Sequence, residues 1–201
     1  MSKKAIKKQI IIQSAIEVFS KNGFQNSTIV EIAKKANVAE GTIYQYFKNK
    51  EDLFFSIPVE KTKEFSRELE LHLQGIHGAF NKIRKVIWYY LYFFKTNPDY
   101  ARTLMLEMRV SKNFVKTHSY KSFKPFTNRL LAIIEEGKEE GVVRNDVSPY
   151  LLRQLILGIL EHIVTRWLLK GERYDLLEHC HAVGELVFHG IGSSKGERVS
   201  G

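Results

Sequence analysis

A single cysteine, Cys180, leaves no partner for an internal disulfide, which fits a reducing compartment. No apolar run approaches the roughly 20 residues that a membrane span needs, and the longest lies near residues 87–94. Residues 1–9 are lysine-rich, but the apolar residues that follow are broken by Gln13, Ser14 and Glu17, so no signal-peptide core forms. Alternating strand patterns are nearly missing. So are a nucleophile elbow, a glycine-rich phosphate cradle and a paired-carboxylate constellation. These absences speak against a secreted disulfide scaffold, a membrane-spanning protein and an enzyme. The expectation is a cytoplasmic, all-α chain with no cofactor, no metal and no membrane partner.

What is present is a globular composition, 44% hydrophobic, 12% aromatic and 26% charged, ample for a core in 201 residues. The net charge of +9 favours a polyanionic partner. It is concentrated: residues 1–50 hold nine lysines against three acids, a net of +6, and the other 151 residues carry +3.

Apolar residues recur at helical spacing almost throughout. Ile6, Ile10, Ala15, Val18 and Phe19 predict a first helix that Gly23 ends. Thr28 and Glu31 form a capping box for a short second helix to about Ala36. Asn37 and Val38 make a tight turn, and a third helix runs from Ala39 to Tyr46 or Phe47. Asn49 caps a fourth, which reaches about Leu73 with a kink expected at Pro58. Further helices are expected over about 79–96, 98–108, 113–140 with a bend at Pro125, 148–169 and 174–188. Gly141 and Gly171 act as stops. The expected division is 1–48 for DNA binding, 49–191 for ligand binding and dimerisation, and a disordered tail at 192–201. With no flexible linker near 46–50, helix four should couple the modules rigidly.

Two short helices across a tight turn, Thr28 to Lys50, are the helix-turn-helix pattern. The second helix of such a pair enters the major groove, its N-terminal residues reaching base edges. Here those are Ala39, Glu40, Gly41 and Thr42, with Gln45 able to read a base edge. Gly41 permits close backbone approach. Tyr44, Tyr46 and the Thr28 hydroxyl can hold phosphates, and Lys48 and Lys50 add charge. An isolated tyrosine at helical spacing is ordinarily core, and a lysine run is ordinarily a solvated face. Ile32, Ala33, Val38, Ile43 and Phe47 already supply the packing face, so two tyrosines and a glutamine on one short helix need another explanation.

The run from Ala39 through Gly41, Thr42, Ile43, Tyr44, Tyr46, Phe47, Lys48 and Lys50 to Glu51 resembles the DNA-reading block of the TetR family of bacterial repressors. Phe19, Gly23, Phe24, Thr28, Ile32 and Ala33 match it too, and the likeness covers about the first 55 residues. The resemblance implies an all-helical homodimer of about nine helices bound to a palindromic duplex. It also implies that the last two long helices pair between subunits, and that ligand binding pulls helix four and separates the reading helices.

The rest of the chain is rich in large apolar residues. Trp88, Tyr89, Tyr92 and Phe93 fall in one expected helix, Leu104 and Met108 in the next. Phe123, Phe126 and Leu130 follow, then Leu157, Leu160 and Trp167. Core and ligand pocket use the same residue types, so sequence alone does not separate them. The stretches 105–109, 135–141, 154–161, 165–167 and 174–176 look like fatty-acid-responsive TetR members, which bind long-chain acyl-CoA. That looser likeness implies a hydrophobic effector among these residues, with Arg109, Lys112 or Lys116 meeting CoA phosphates. The alternative is a multidrug-type sensor of cationic aromatic compounds controlling an efflux gene, for which Glu161 is the candidate acid.

The helix from Ser148 to Leu169 is apolar on more than one face, as a helix buried on two sides should be. Gly158 would admit a partner helix closely. Glu178, His179, Cys180 and His181 invite a metal reading, but adjacent residues do not share a helix face. Asn26-Ser27-Thr28 matches a glycosylation acceptor that a cytoplasmic chain does not use.

Overall fold

A computed structural model describes residues 2–192. The expected tail begins at Gly192, and its residues 193–201 lie outside the described residues. Among the described residues, ten α-helices account for most of the length. Apart from one bridge between Val143 and Gly192, no β-structure occurs among the described residues. The all-α expectation holds.

The chain forms two units, the first of residues 2–63 and 97–123, the second of 64–96 and 124–192. In the first, α1 (Lys3–Asn26) is opened by Ser2, whose side chain accepts from the Ala5 amide. It turns non-helical at Gly23, with φ +75°, the stop that the sequence predicts. Thr28 and Glu31 form the complete capping box of α2 (Ile29–Lys35). Asn37, at φ +53°, ends it in a Schellman turn: the Val38 amide donates to the Ala33 carbonyl and the Asn37 amide to that of Lys34. Next comes α3, Glu40–Tyr44, followed by turn residues, so the third helix is shorter than expected. Ile11, Ala15, Phe19, Ile32 and Ile43 close the core beneath these helices. The rings of Phe19, Phe24 and Phe54 meet at centroid distances of 4.6–5.8 Å.

Helix α4, Lys50–Leu73, starts where Asn49 caps the Asp52 amide at 2.8 Å, and it continues through Pro58. The first unit is completed by α6 (Pro98–Arg102), running into a π-helical turn at Thr103–Met108, then a 3-10 turn at Phe114–Lys116 and α7 (His118–Lys121). Two expectations are corrected here. The helix predicted over 98–108 changes pitch at Thr103. The helix predicted over 113–140 is three pieces, because extended Thr117 caps the Tyr120 amide with its hydroxyl and so competes with helical hydrogen bonding. Pro125 sits in the first turn of α8 (Lys124–Glu139), where its missing N–H breaks no helical bond.

In the second unit α5 (Ala79–Thr96) packs against α8, α9 (Pro149–Leu169) and α10 (His179–Ile191). Gly141 and Gly171, at φ +73° and +68°, terminate α8 and α9. The expected last helix begins later, at His179, because the Asp175 side chain caps the Leu177 amide and holds a 3-10 turn at Leu176–Glu178. No helix among the described residues is long and apolar enough to cross a membrane.

Candidate nucleic-acid interface and effector region

Ile43 and Phe47 are anchored inside the first unit, 0% and 4% exposed, and their anchoring turns the rest of α3 outward. Glu40, Gly41, Tyr44 and Gln45 are exposed, with Tyr44 at 53%, while Thr42 and Tyr46 are half-buried. A side chain at Gly41 would meet nothing within 4 Å, and its φ is not left-handed. Neither packing nor backbone requires glycine there, though glycine costs a helix about 1 kcal/mol relative to alanine. The missing Cβ leaves the backbone at the start of α3 open to close approach.

The candidate phosphate holders divide. Lys48 is exposed, and its ammonium has no partner among the described residues, while its backbone amide donates to Asp52 at 2.8 Å. Lys34 is likewise exposed. Lys35 instead pairs with Glu17 at 2.6 Å, and that hydrogen bond holds the Glu17 carboxyl below its ordinary range. Lys50 points inward: its ammonium donates to the carbonyls of Phe24 (2.7 Å), Gln25 (3.3 Å) and Ser27 (2.7 Å) and lies 4.6 Å from the Phe24 ring centroid. All three of its protons are directed at the end of α1. The Thr28 hydroxyl is engaged too, accepting from the Glu31 amide and donating to the Glu31 carboxylate at 2.9 Å. Sequence reasoning missed two further contacts. Glu107, on the π-helical turn, accepts from the Phe24 amide at 3.3 Å, and Asp99 accepts from Ser20 at 2.7 Å. Both bonds tie α1 to the segment that starts at α6.

The proposed effector residues fall in both units. Leu104 and Met108 are fully buried in the first, Phe123 is half-buried there, and Arg109 is exposed. Lys112 and Lys116 are exposed. In the second unit Tyr89, Phe93 and Phe126 surround Phe65 at centroid distances of 4.9, 5.0 and 4.7 Å. Trp88 and Tyr92 stack on each other at 5.0 Å on the neighbouring, more exposed face of α5. Leu130 and Leu160 are fully buried, and Leu157 and Glu161 are half-buried. Trp167 donates from Nε1 to the Tyr174 carbonyl at 3.0 Å, which closes the turn after α9.

Phe65, the centre of the aromatic cluster, was missed because helix four was read only as a coupling rod, although Phe65 and Leu69 repeat at four-residue spacing along it. Glu68 was missed with it. Its carboxylate accepts from the Tyr89 hydroxyl at 2.9 Å; burial first, then this bond, pushes the phenol far above its ordinary range.

Residues 11–57 match the family model described as bacterial regulatory proteins, tetR family, and residues 59–190 match that of the YsiA-like protein, C-terminal region. The chain belongs to the TetR family. It is similar to the fatty acid metabolism regulator protein of Bacillus subtilis, 34% identical over 95% of this chain and 98% of that one. Among solved structures, the fatty acid degradation regulator FadR of Bacillus halodurans superposes with a TM-score of 0.87 at 30% identity, covering 92% of this chain and 95% of that one. The FadR of Bacillus subtilis in complex with stearoyl-CoA gives 0.86 at 34% identity, covering 91% and 98%. This TetR-family chain is therefore a helix-turn-helix transcriptional regulator.

Proposed function

We propose that the chain is a cytoplasmic repressor that holds a palindromic duplex as a homodimer and is released by a long-chain acyl-CoA. Residues 1–48 carry DNA binding and 49–191 effector binding and dimerisation. Gly41, Thr42 and Gln45 read bases. Glu40 stands at the same helix start, Tyr44 and Tyr46 contact phosphates beside Lys48, and Lys50 acts by fixing the end of α1. The observation that carries this reading is the exposure of Tyr44 and Gln45 on a helix whose Ile43 is wholly buried.

The effector class is supported by the aromatic and aliphatic interior of the second unit and by similarity to a regulator that holds stearoyl-CoA. Apolar pockets take apolar chains, and a few polar groups orient them. Arg109, Lys112 and Lys116 are exposed cations suited to CoA phosphates. Dimerisation is supported by α9, which leaves Leu151, Leu155 and Ile159 at 48%, 52% and 39% exposed around Gly158. An apolar face of that kind marks an interaction surface.

The multidrug alternative draws on the carboxylate of Glu68 against Tyr89, an arrangement a cationic ring could exploit. One titration decides. Palmitoyl-CoA should dissociate the protein from its duplex, whereas free CoA and ethidium should not. Release by ethidium alone would establish the alternative.

A further inference from the structure

The short link from α1 to the helix pair α2 and α3 is held by opposite charges. On one side the Glu107 carboxylate accepts from the Phe24 amide at 3.3 Å. On the other the Lys50 ammonium donates to the Phe24 and Ser27 carbonyls, each at 2.7 Å. An anion on the donor and a cation on the acceptors make these contacts charge-assisted. One turn earlier, Asp99 accepts from the Ser20 hydroxyl at 2.7 Å. A Cβ on Gly23 would lie 3.5 Å from Glu107 Oε1, so the carboxylate rests against the left-handed turn itself. All of these residues belong to the first unit. Thr28, which caps α2, is four residues beyond Phe24, so the hold on Phe24 fixes where the helix pair begins.

The turn that carries Glu107 has an unusual pitch. Over Thr103–Met108 the chain is π-helical, and the Arg109 amide donates to the Leu104 carbonyl five residues back at 3.0 Å. Such turns are rare and gather at functional sites. Return to α pitch, with Arg109 donating to Met105, rotates the residues beyond the turn by about 100° against those before it. The non-helical segment 109–113 can take up the one-residue shift. Glu107 then leaves the Phe24 amide. We infer that Glu107 is a positioning residue for DNA binding, and that effector binding withdraws it from Phe24 by returning its turn to α pitch. The inference rests on the repressor and acyl-CoA reading above and adds a route of transmission to it. Leu104 and Met108, two of the candidate effector residues, lie on the same turn. The family resemblance assigns transmission to helix four, whereas this route enters the reading unit at the end of α1.

The test measures binding of the full-length protein to an inverted-repeat duplex selected from a randomised pool, by fluorescence anisotropy with and without saturating palmitoyl-CoA. It is run at a temperature where circular dichroism shows each protein folded. Without palmitoyl-CoA, Glu107→Ala should bind the duplex at least about fivefold more weakly than wild type, the scale of one hydrogen bond to a charged group. With palmitoyl-CoA the two should bind alike, because the contact is already gone in both. Glu107→Gln, whose amide oxygen still accepts from Phe24, should keep most of the palmitoyl-CoA response. In wild type itself, palmitoyl-CoA should speed hydrogen exchange at the Phe24 amide about fivefold, a readout that needs no variant. An equal loss of affinity with and without palmitoyl-CoA overturns the inference alone, because Glu107 then serves only the fold. Unchanged affinity in Glu107→Ala, or unchanged exchange at Phe24, overturns it as well. Wild type that palmitoyl-CoA leaves on the duplex overturns the acyl-CoA reading and the withdrawal step with it.

Discussion

The Lys50 ammonium could serve the fold or the phosphates, and replacing Lys50 with methionine separates the two. The substitution keeps the aliphatic stem and removes the three donors aimed at Phe24, Gln25 and Ser27. Hydrogen bonds to a charged group contribute about 1.5–3 kcal/mol each, less where water can replace the donor. The bonds to Phe24 and Ser27 are partly buried and the longer one to Gln25 is exposed. About 1 kcal/mol for each of the first two, and little for the third, gives a loss of about 2 kcal/mol. Urea unfolding should show it as a lower midpoint at unchanged slope.

The salt dependence of duplex binding reads the other role. Each neutralised phosphate contributes about 0.9 to the slope of log K against log salt. If Lys50 acts through the fold, the slope of the variant matches wild type. If it held a phosphate in each subunit, the slope would flatten by about 1.8 and stability would be unchanged. Lys48→Met should give that second pattern. A flattened slope at unchanged stability for Lys50→Met would refute the reasoning.

Other perturbations give sharp outcomes. A Cβ on Gly137 would lie 2.6 Å from the Val143 Cγ2 and 2.8 Å from the Ala79 Cβ, so Gly137→Ala gains about 1 kcal/mol in helix propensity and loses about 2–3 to overpacking. Thermal unfolding should show a net loss of about 1–2 kcal/mol, and no loss would show that the α5–α8 packing is looser than drawn. Glu107→Ala should cost about 1 kcal/mol and speed hydrogen exchange at the Phe24 amide about fivefold; unchanged exchange there would remove the link between α1 and the π-helical turn. Tyr89 is held neutral by burial and by Glu68, so its contribution to stability is complete below about pH 10, where an unfolded tyrosine ionises, and is lost as pH rises beyond it. Folded Tyr89→Phe should show the same phenolate absorbance at pH 11 as wild type, and a smaller amplitude would contradict this.

Local chemistry was legible in the sequence. The capping box at Thr28, the turn at Asn37, and the stops at Gly23, Gly141 and Gly171 all stand where residue type alone puts them, because each is decided within four or five residues. The outward face of α3 was legible as well, since Ile43 and Phe47 claim the inner positions. Contacts across long separations were not. Nothing in a helical periodicity says that Lys50 reaches back to Phe24, or that Glu107 does so from a turn of altered pitch. The break at Thr117 was missed because apolar spacing over 113–140 continues across it, while one hydroxyl redirects the backbone. Phe65 and Glu68 went unread because apolar spacing along α4 does not say which side chains pack on it; only the fold brings Tyr89, Phe93 and Phe126 around Phe65 and the Tyr89 hydroxyl to Glu68.

In the proposed function α3 reads DNA sequence. Selection of duplexes from a randomised pool, with wild type and with Gln45→Ala in parallel, tests it most directly. Wild type should enrich an inverted repeat, and the variant should enrich the same repeat with preference relaxed at one base pair in each half-site, a loss of about 1–3 kcal/mol there. Identical motifs from the two proteins, or no enrichment by wild type, would contradict it.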